Sequence, residues 1–274
     1  MQPEPVTEAT PRPVRRPLFT QDWTRLVYVH RRYDPAVVAP HLPSGCVPDV
    51  DDDGAAWAGL VPFHMRRVRV LGTPPVPWLA DFVEVNVRTY AVGPDGRRSV
   101  VFLTLETDRA VPVAVARASY RLPYAWARAG LRVRSAADPT WRPADEDALP
   151  TADAGDEWDY ATARRAPRVP VGAVAHARSR VHVRLTERVA EPDALDRFLT
   201  ARWGLHVSWH DGRTLHGPVD HGPWPLWRAD VLRLDERLVR AVGLPDPLDD
   251  GPPHVRASPG VSVRIGLPRG VGVG

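Results

Sequence analysis

The sequence contains no lysine: all 36 basic residues among its 274 are arginine. A Schiff base between a side chain and a carbonyl substrate is therefore excluded, because that chemistry needs a lysine amine. Cysteine is nearly absent too. With Cys46 alone, neither an internal disulfide framework nor a cysteine-built zinc site can form. No apolar run approaches the roughly 18 to 20 residues of a membrane span. The first 17 residues carry Pro and Arg but no apolar stretch of the kind a signal peptide needs. These absences lead to the expectation of a cytoplasmic protein with no membrane partner. Charge of one sign is lacking as well. The 36 basic residues are interleaved with 33 acidic ones, so no basic patch or nucleic-acid motif stands out, and no nucleic-acid partner is expected.

What is present is an ordinary globular composition on a chain long enough to bury a sizeable core. Residues 1–17 read as a disordered arm, and 18–270 as one domain, since no linker divides the strand signals. Trp23 to Arg31 reads as a strand, followed by a short helix capped by Asp34 with Pro35 at its first position. Ala55 to Val70 reads as a long strand in which Pro62 signals an edge or a bulge. Gly93-Pro94-Asp95-Gly96 is the strongest hairpin turn, leading into a strand from Ser99 to Thr107. Val113 to Arg128 predicts two short helical pieces broken at Leu122-Pro123. Glu157 to Ala163, Ala175 to Val189, Leu205 to Trp209, Arg213 to Gly217 and Val261 to Ile265 read as further strands. Helices are expected over Pro192 to Trp203 and Asp235 to Val242. Many strands with only short helices predict a mainly antiparallel α+β fold.

The stretch from Asp81 to Tyr90 is the richest in chemistry. Glu84, Asn86 and Arg88 are spaced i, i+2, i+4 and so project from one side of a strand, while Val83, Val85, Val87 and Thr89 form the other. Such a face looks either at water or into a polar cavity. In water, Glu84 and Arg88 would be an exposed ion pair of small energetic weight. In a cavity, Arg88 could clamp a ligand carboxylate and Glu84 would be a candidate for proton transfer. Asn86 could orient either. His64 and Arg117 are further candidates for ligand contact, each with an ordinary structural alternative. His206, His210, His216 and His221 fit no standard metal-ligand spacing, so no metal is expected. Cys46 has no base partner in the sequence.

Trp57 to Phe63, Phe82 to Tyr90, Arg117 with Leu122-Pro123-Tyr124, and His221 to Leu226 together resemble a family of uncharacterised bacterial proteins, the YqjF-like or DUF2071 family. The likeness spans about residues 20 to 267. It implies membership of the acetoacetate decarboxylase-like superfamily, and with it a cone-shaped antiparallel β-barrel, with short peripheral helices, around an internal cavity. In acetoacetate decarboxylase an adjacent pair of lysines follows a Gly-Tyr-Pro or Gly-Phe-Pro segment, the nucleophilic one activated by its cationic neighbour. If Pro123 matches that proline, Tyr124 and Ala125 occupy the lysine positions. The cavity carries over; the imine chemistry does not.

The resulting expectation is a barrel that binds a small carboxylate- or carbonyl-bearing molecule through Arg88, Asn86, Arg117 and His64, without a cofactor. One alternative is a lysine-independent decarboxylase, lyase or hydratase working through Glu84 and Tyr124. Another is a non-enzymatic structural or interaction protein. A homo-oligomer is compatible with the superfamily, whose members associate.

Overall fold

A computed structural model describes residues 2–74, 80–109, 121–144, 149–165, 177–245 and 251–271. Alternating apolar residues drive most of these into strands. The elements begin with β1 (Phe19–Tyr33), α1 (Pro35–Val38), β2 (Val47–Pro48), β3 (Ala56–Val70), β4 (Phe82–Val92) and β5 (Arg98–Thr107). They continue with β6 (Tyr124–Arg134), β7 (Arg142–Pro143), β8 (Glu157–Arg164), β9 (Arg178–Arg188) and α2 (Ala194–Thr200). Last come β10 (Gly204–Ser208), β11 (Thr214–His221), β12 (Trp227–Glu236), α3 (Leu238–Ala241), β13 (His254–Ile265) and β14 (Arg269–Gly270). Among the described residues no helix is long and apolar enough to cross a membrane.

Hydrogen-bonded neighbours run β14-β11-β10-β5-β4-β3-β1-β13-β12-β9-β8-β6-β7, and β2 pairs with β4. Two further pairings fold this sheet back on itself. The β5–β6 pairing closes a ring of nine strands, β5-β4-β3-β1-β13-β12-β9-β8-β6. The β11–β13 pairing closes a smaller ring, β5-β4-β3-β1-β13-β11-β10. Strands β5, β4, β3, β1 and β13 belong to both. The barrel is mixed, because β5 meets β6 and β10 in parallel while the other pairings are antiparallel.

A strand shared by two rings has an interior on each face. Val85 and Val87 of β4 pack into the core of the larger ring with Val27, Leu60, Trp158 and Val183. Phe82 belongs instead to the core of the smaller ring, with Tyr28, Val61, Phe63, Leu205 and Trp224. The Glu84, Asn86 and Arg88 side chains share the face of Phe82.

Bulges adjust which residues reach that smaller ring. Arg25 has φ +53°, and the β1–β3 register breaks between Thr24 and Val29. Gln21 and Trp23 face the smaller ring before the break; Leu26 and Tyr28 face it after. One extra residue has switched the phase of the alternation. Pro62 lies opposite this interruption, where no ladder partner on β1 is lost, in line with the bulge its position signalled. A second break on β5, opposite Val87 and Arg88, lets both Phe102 and Leu105 face inward.

Three expectations need correction. Residues 2–17 of the arm expected to be disordered are held against the barrel. The Glu4 amide bonds the Gly96 carbonyl at 2.9 Å, Trp203 Nε1 bonds Thr7 Oγ1 at 3.0 Å, and the Val14 amide bonds Asp220 Oδ2 at 3.0 Å. Polar partners on the barrel satisfy backbone and side-chain groups that composition alone leaves open. The segment from Tyr124 to Arg128, expected as helix, is part of β6, because pairing with β5 and β8 overrides the helix propensity of its alanines. Strand β12 was not foreseen; register shifts after Trp227 and Val231 break its alternation. By contrast, α1 follows expectation, with Asp34 Oδ1 accepting from the Ala36 amide at 2.8 Å.

Candidate functional site

Strand β4 aims Glu84, Asn86 and Arg88 into a cavity of about 80 Å³ inside the smaller ring. At about 10–15 Å³ for each water position, this is room for several waters or one small molecule. Tyr28 from β1, Phe63 from β3, Leu105 from β5 and Trp224 line the same space. The polar face therefore looks into an interior and not at water.

Glu84 is 1% exposed. Tyr124 Oη donates to its Oε2 at 2.8 Å, and Asn86 Nδ2 donates to its Oε1 at 3.3 Å. No ion pair to Glu84 exists among the described residues. Loss of water pushes its carboxyl up to about 7, and the two hydrogen bonds offset only part of that rise. The Tyr124 phenol is pushed well above its usual range by burial and by Glu84 beside it, so it stays protonated and acts as a donor. The positions of Pro123 and Tyr124 follow from β6 starting alongside β5, where the Leu105 amide bonds the Pro123 carbonyl at 3.1 Å.

Arg88 does not pair with Glu84. Its Nε donates to Tyr90 Oη at 3.2 Å, and its guanidinium lies 5.2 Å from the Tyr28 ring centre and 5.6 Å from that of Tyr90. Among the described residues no carboxylate pairs with it, and the Tyr28 hydroxyl stands beside it as a neutral partner. His30 Nε2 lies 2.7 Å from Tyr90 Oη on the far side. Burial, with Arg88 nearby, holds the His30 imidazole well below its ordinary range and hence neutral. The Tyr90 hydroxyl thus accepts from Arg88 and can donate to His30.

The site includes residues that sequence reasoning missed. Arg202 lines the cavity just beyond α2. Its guanidinium sits 4.5 Å from the ring centres of both Tyr90 and Phe198, and it is ion-paired with Asp49, which also holds Arg98. Nothing local in Ala201-Arg202-Trp203 distinguishes this arginine from a solvated one. Tyr28 was equally hidden, because the bulge at Arg25 sets its direction.

Other candidates lie elsewhere. His64 is on the opposite face of β3 from Phe63 and pairs through Nε2 with Asp81, which also accepts from Arg66 Nε at 2.9 Å. It does not line the cavity, and its assignment to ligand contact is corrected on that ground: odd-numbered residues of β3 face inward here. Arg117 lies outside the described residues. His206 and His216 face each other across the β10–β11 hairpin with ring centres 5.4 Å apart. His210 stands against Trp209, and His221 sits between Trp203 and Trp224 at 4.7 and 5.0 Å, its Nδ1 donating to the Gly222 carbonyl at 2.7 Å.

The chain is 26% identical over 235 residues to the uncharacterised protein YqjF of Bacillus subtilis strain 168, which covers 85% of each sequence. Among solved structures it resembles the enduracididine biosynthesis enzyme MppR complexed with pyruvate. That likeness has a TM-score of 0.59 and 17% identity over 94% of this chain and 91% of the other. It also resembles an acetoacetate decarboxylase-like enzyme from Sphingomonas wittichii RW1, with a TM-score of 0.58 and 16% identity over 93% and 92% of the two chains. Identities this low establish the fold alone, an acetoacetate decarboxylase-like β-barrel. Residues 20–262 match the DUF2071 family, described as an uncharacterised conserved protein, and the chain belongs to that family.

Proposed function

We propose that this protein binds a small carboxylate-bearing molecule, with a carbonyl within reach of Glu84, in the cavity of the smaller ring. The observation that carries this reading is Arg88: a buried guanidinium with no carboxylate partner among the described residues, on the wall of a small cavity. A buried cation without a counter-charge is expensive, and a ligand carboxylate would supply that charge in a bidentate fork. Asn86 Oδ1 is buried without a partner and offers an acceptor beside it. Glu84, with its carboxyl near 7, carries a proton that it can give to a carbonyl oxygen or a developing carbanion. The pyruvate complex of MppR supports a 2-oxo acid as the first compound to try. The expected setting remains the cytoplasm, with a small molecule as partner.

A catalytic version is favoured by one contact, the 2.8 Å hydrogen bond from Tyr124 to Glu84. In a lysine-free decarboxylase, lyase or hydratase, Glu84 would move the proton and Tyr124 would hold its carboxyl in place. Thermal-shift titration of the wild type and Arg88→Gln with pyruvate and other short 2-oxo acids tests the binding. A ligand at 100 times its Kd stabilises by about 2.7 kcal/mol, which in a chain of this size is a shift of several degrees. The shift should vanish in Arg88→Gln; equal shifts in both proteins would refute the assignment. Turnover of any stabilising acid should be lost in Glu84→Gln and retained in part in Tyr124→Phe.

A further inference from the structure

A second, larger hollow of about 650 Å³ lies on the outside of the smaller ring, between the end of β9, α2 and the Pro223-Trp224-Pro225 segment. Three residues line both this groove and the internal cavity: Thr200, His221 and Trp224. The wall between the two spaces is therefore one layer of side chains thick. We propose that the groove is the vestibule of the cavity, and that Thr200, His221 and Trp224 form the partition that selects what enters.

The partition is stitched together but has few fastenings. Trp224 Nε1 donates to the carbonyl of Thr200, the last residue of α2, at 3.2 Å. The Trp224 ring lies against His221 on one side and stacks on Trp23 at 6.2 Å. Proline on each side restricts the backbone around Trp224, so passage would come from rotation of the indole rather than from movement of the segment. Losing that one hydrogen bond is the main polar cost of the rotation. The outer space carries Arg188 and Arg197 as well as Glu8 and Glu191. These four groups carry no net charge together, so size rather than charge is what the partition would select. The route itself rests on the geometry of the two hollows and not on what Arg88 holds.

Thiol labelling tests this without any ligand. In a Cys46→Ser, Leu105→Cys protein the only thiol sits on the cavity wall. Its modification would be timed with a compact reagent, methyl methanethiosulfonate, and a bulky one, dithiobis(nitrobenzoate). With the partition intact, the compact reagent should react much faster than the bulky one. Trp224→Ala should raise the bulky reagent's relative rate roughly tenfold, the scale of one lost hydrogen bond plus the removed ring, and Thr200→Ala should raise it less. Labelling through global unfolding accelerates steeply with denaturant whereas passage through the partition does not, so rates taken at several low urea concentrations separate the two. Leu122→Ala, on a part-exposed stretch of the cavity wall away from the groove, serves as the rival entrance. If only Leu122→Ala changes the ratio, or if no variant does, the partition is not the entrance and the proposal falls. Neither result bears on whether Arg88 binds an acid, which the titration above decides separately.

Discussion

At the scale of single residues, Glu84 sets the chemistry because it is buried on the cavity wall with no ion pair among the described residues, on the strand face it shares with Arg88. Its folded value of about 7 stands above its ordinary 4.5, so the folded state holds the proton more tightly than the unfolded chain. The stabilisation is complete below about pH 4.5 and is lost as pH rises through 7. The full difference is at most about 3 kcal/mol at 1.36 kcal/mol per unit. Glu84→Gln, which mimics the protonated carboxyl, should therefore melt higher than the wild type at pH 8 and nearly level with it at pH 5. Melting curves across that range would check this, and a gap that widens toward acid would contradict it. Of this site, the Glu84-Asn86-Arg88 face and Tyr124 were legible from alternation and family likeness. That Arg88 has no carboxylate partner among the described residues was not, since pairing is settled by distances across strands and not by spacing along one.

At the scale of elements, the β10–β11 hairpin shows how tightly the smaller ring is closed. His206 and His216 are buried, and their imidazoles are pushed down to about 4 and about 3, chiefly by loss of water. Both are neutral in the fold, whereas the unfolded chain protonates them below about 6.5. Their contribution is complete above pH 6.5 and is lost as pH falls toward 4, so His216→Asn should flatten the acid limb of the stability profile. A Cβ on Gly204 would run into His216 Nε2. Gly204→Ala should cost about 1–3 kcal/mol through overpacking, and His216→Ala in the same protein should recover part of it; denaturant melts of the four proteins would show whether it does. The hairpins were readable because turn residues punctuate them. Strand β6 was not, because Ala125, Ala127 and Ala129 carry helix propensity that only its neighbours override. Strand β1 was readable as a strand but not in its phase, since Arg25 adopts a left-handed backbone that nothing in its residue type announces.

At the scale of the whole molecule, the N-terminal segment is part of the folded unit. Glu4 accepts from the Arg98 amide at 3.0 Å and pairs with Arg12 at 2.7 Å, while Val14 is 7% exposed. Removal of residues 2–13 should lower the melting temperature by several degrees, given about 0.5–1.5 kcal/mol for each lost hydrogen bond; an unchanged melt would return the segment to the status of a loose tail. The two-ring topology has a further consequence, for how the sequence tolerates change. In β9, exposed and buried residues alternate, whereas β4 is buried at nearly every position. A saturation mutagenesis scan should therefore find every second residue of β9 permissive to polar substitution and almost none of β4. The buried lengths of the five shared strands would appear as bands of intolerance, broken at the exposed end of β3 and the alternating end of β13, and most of the chain's evolutionary freedom would lie in its outer arc and its turns.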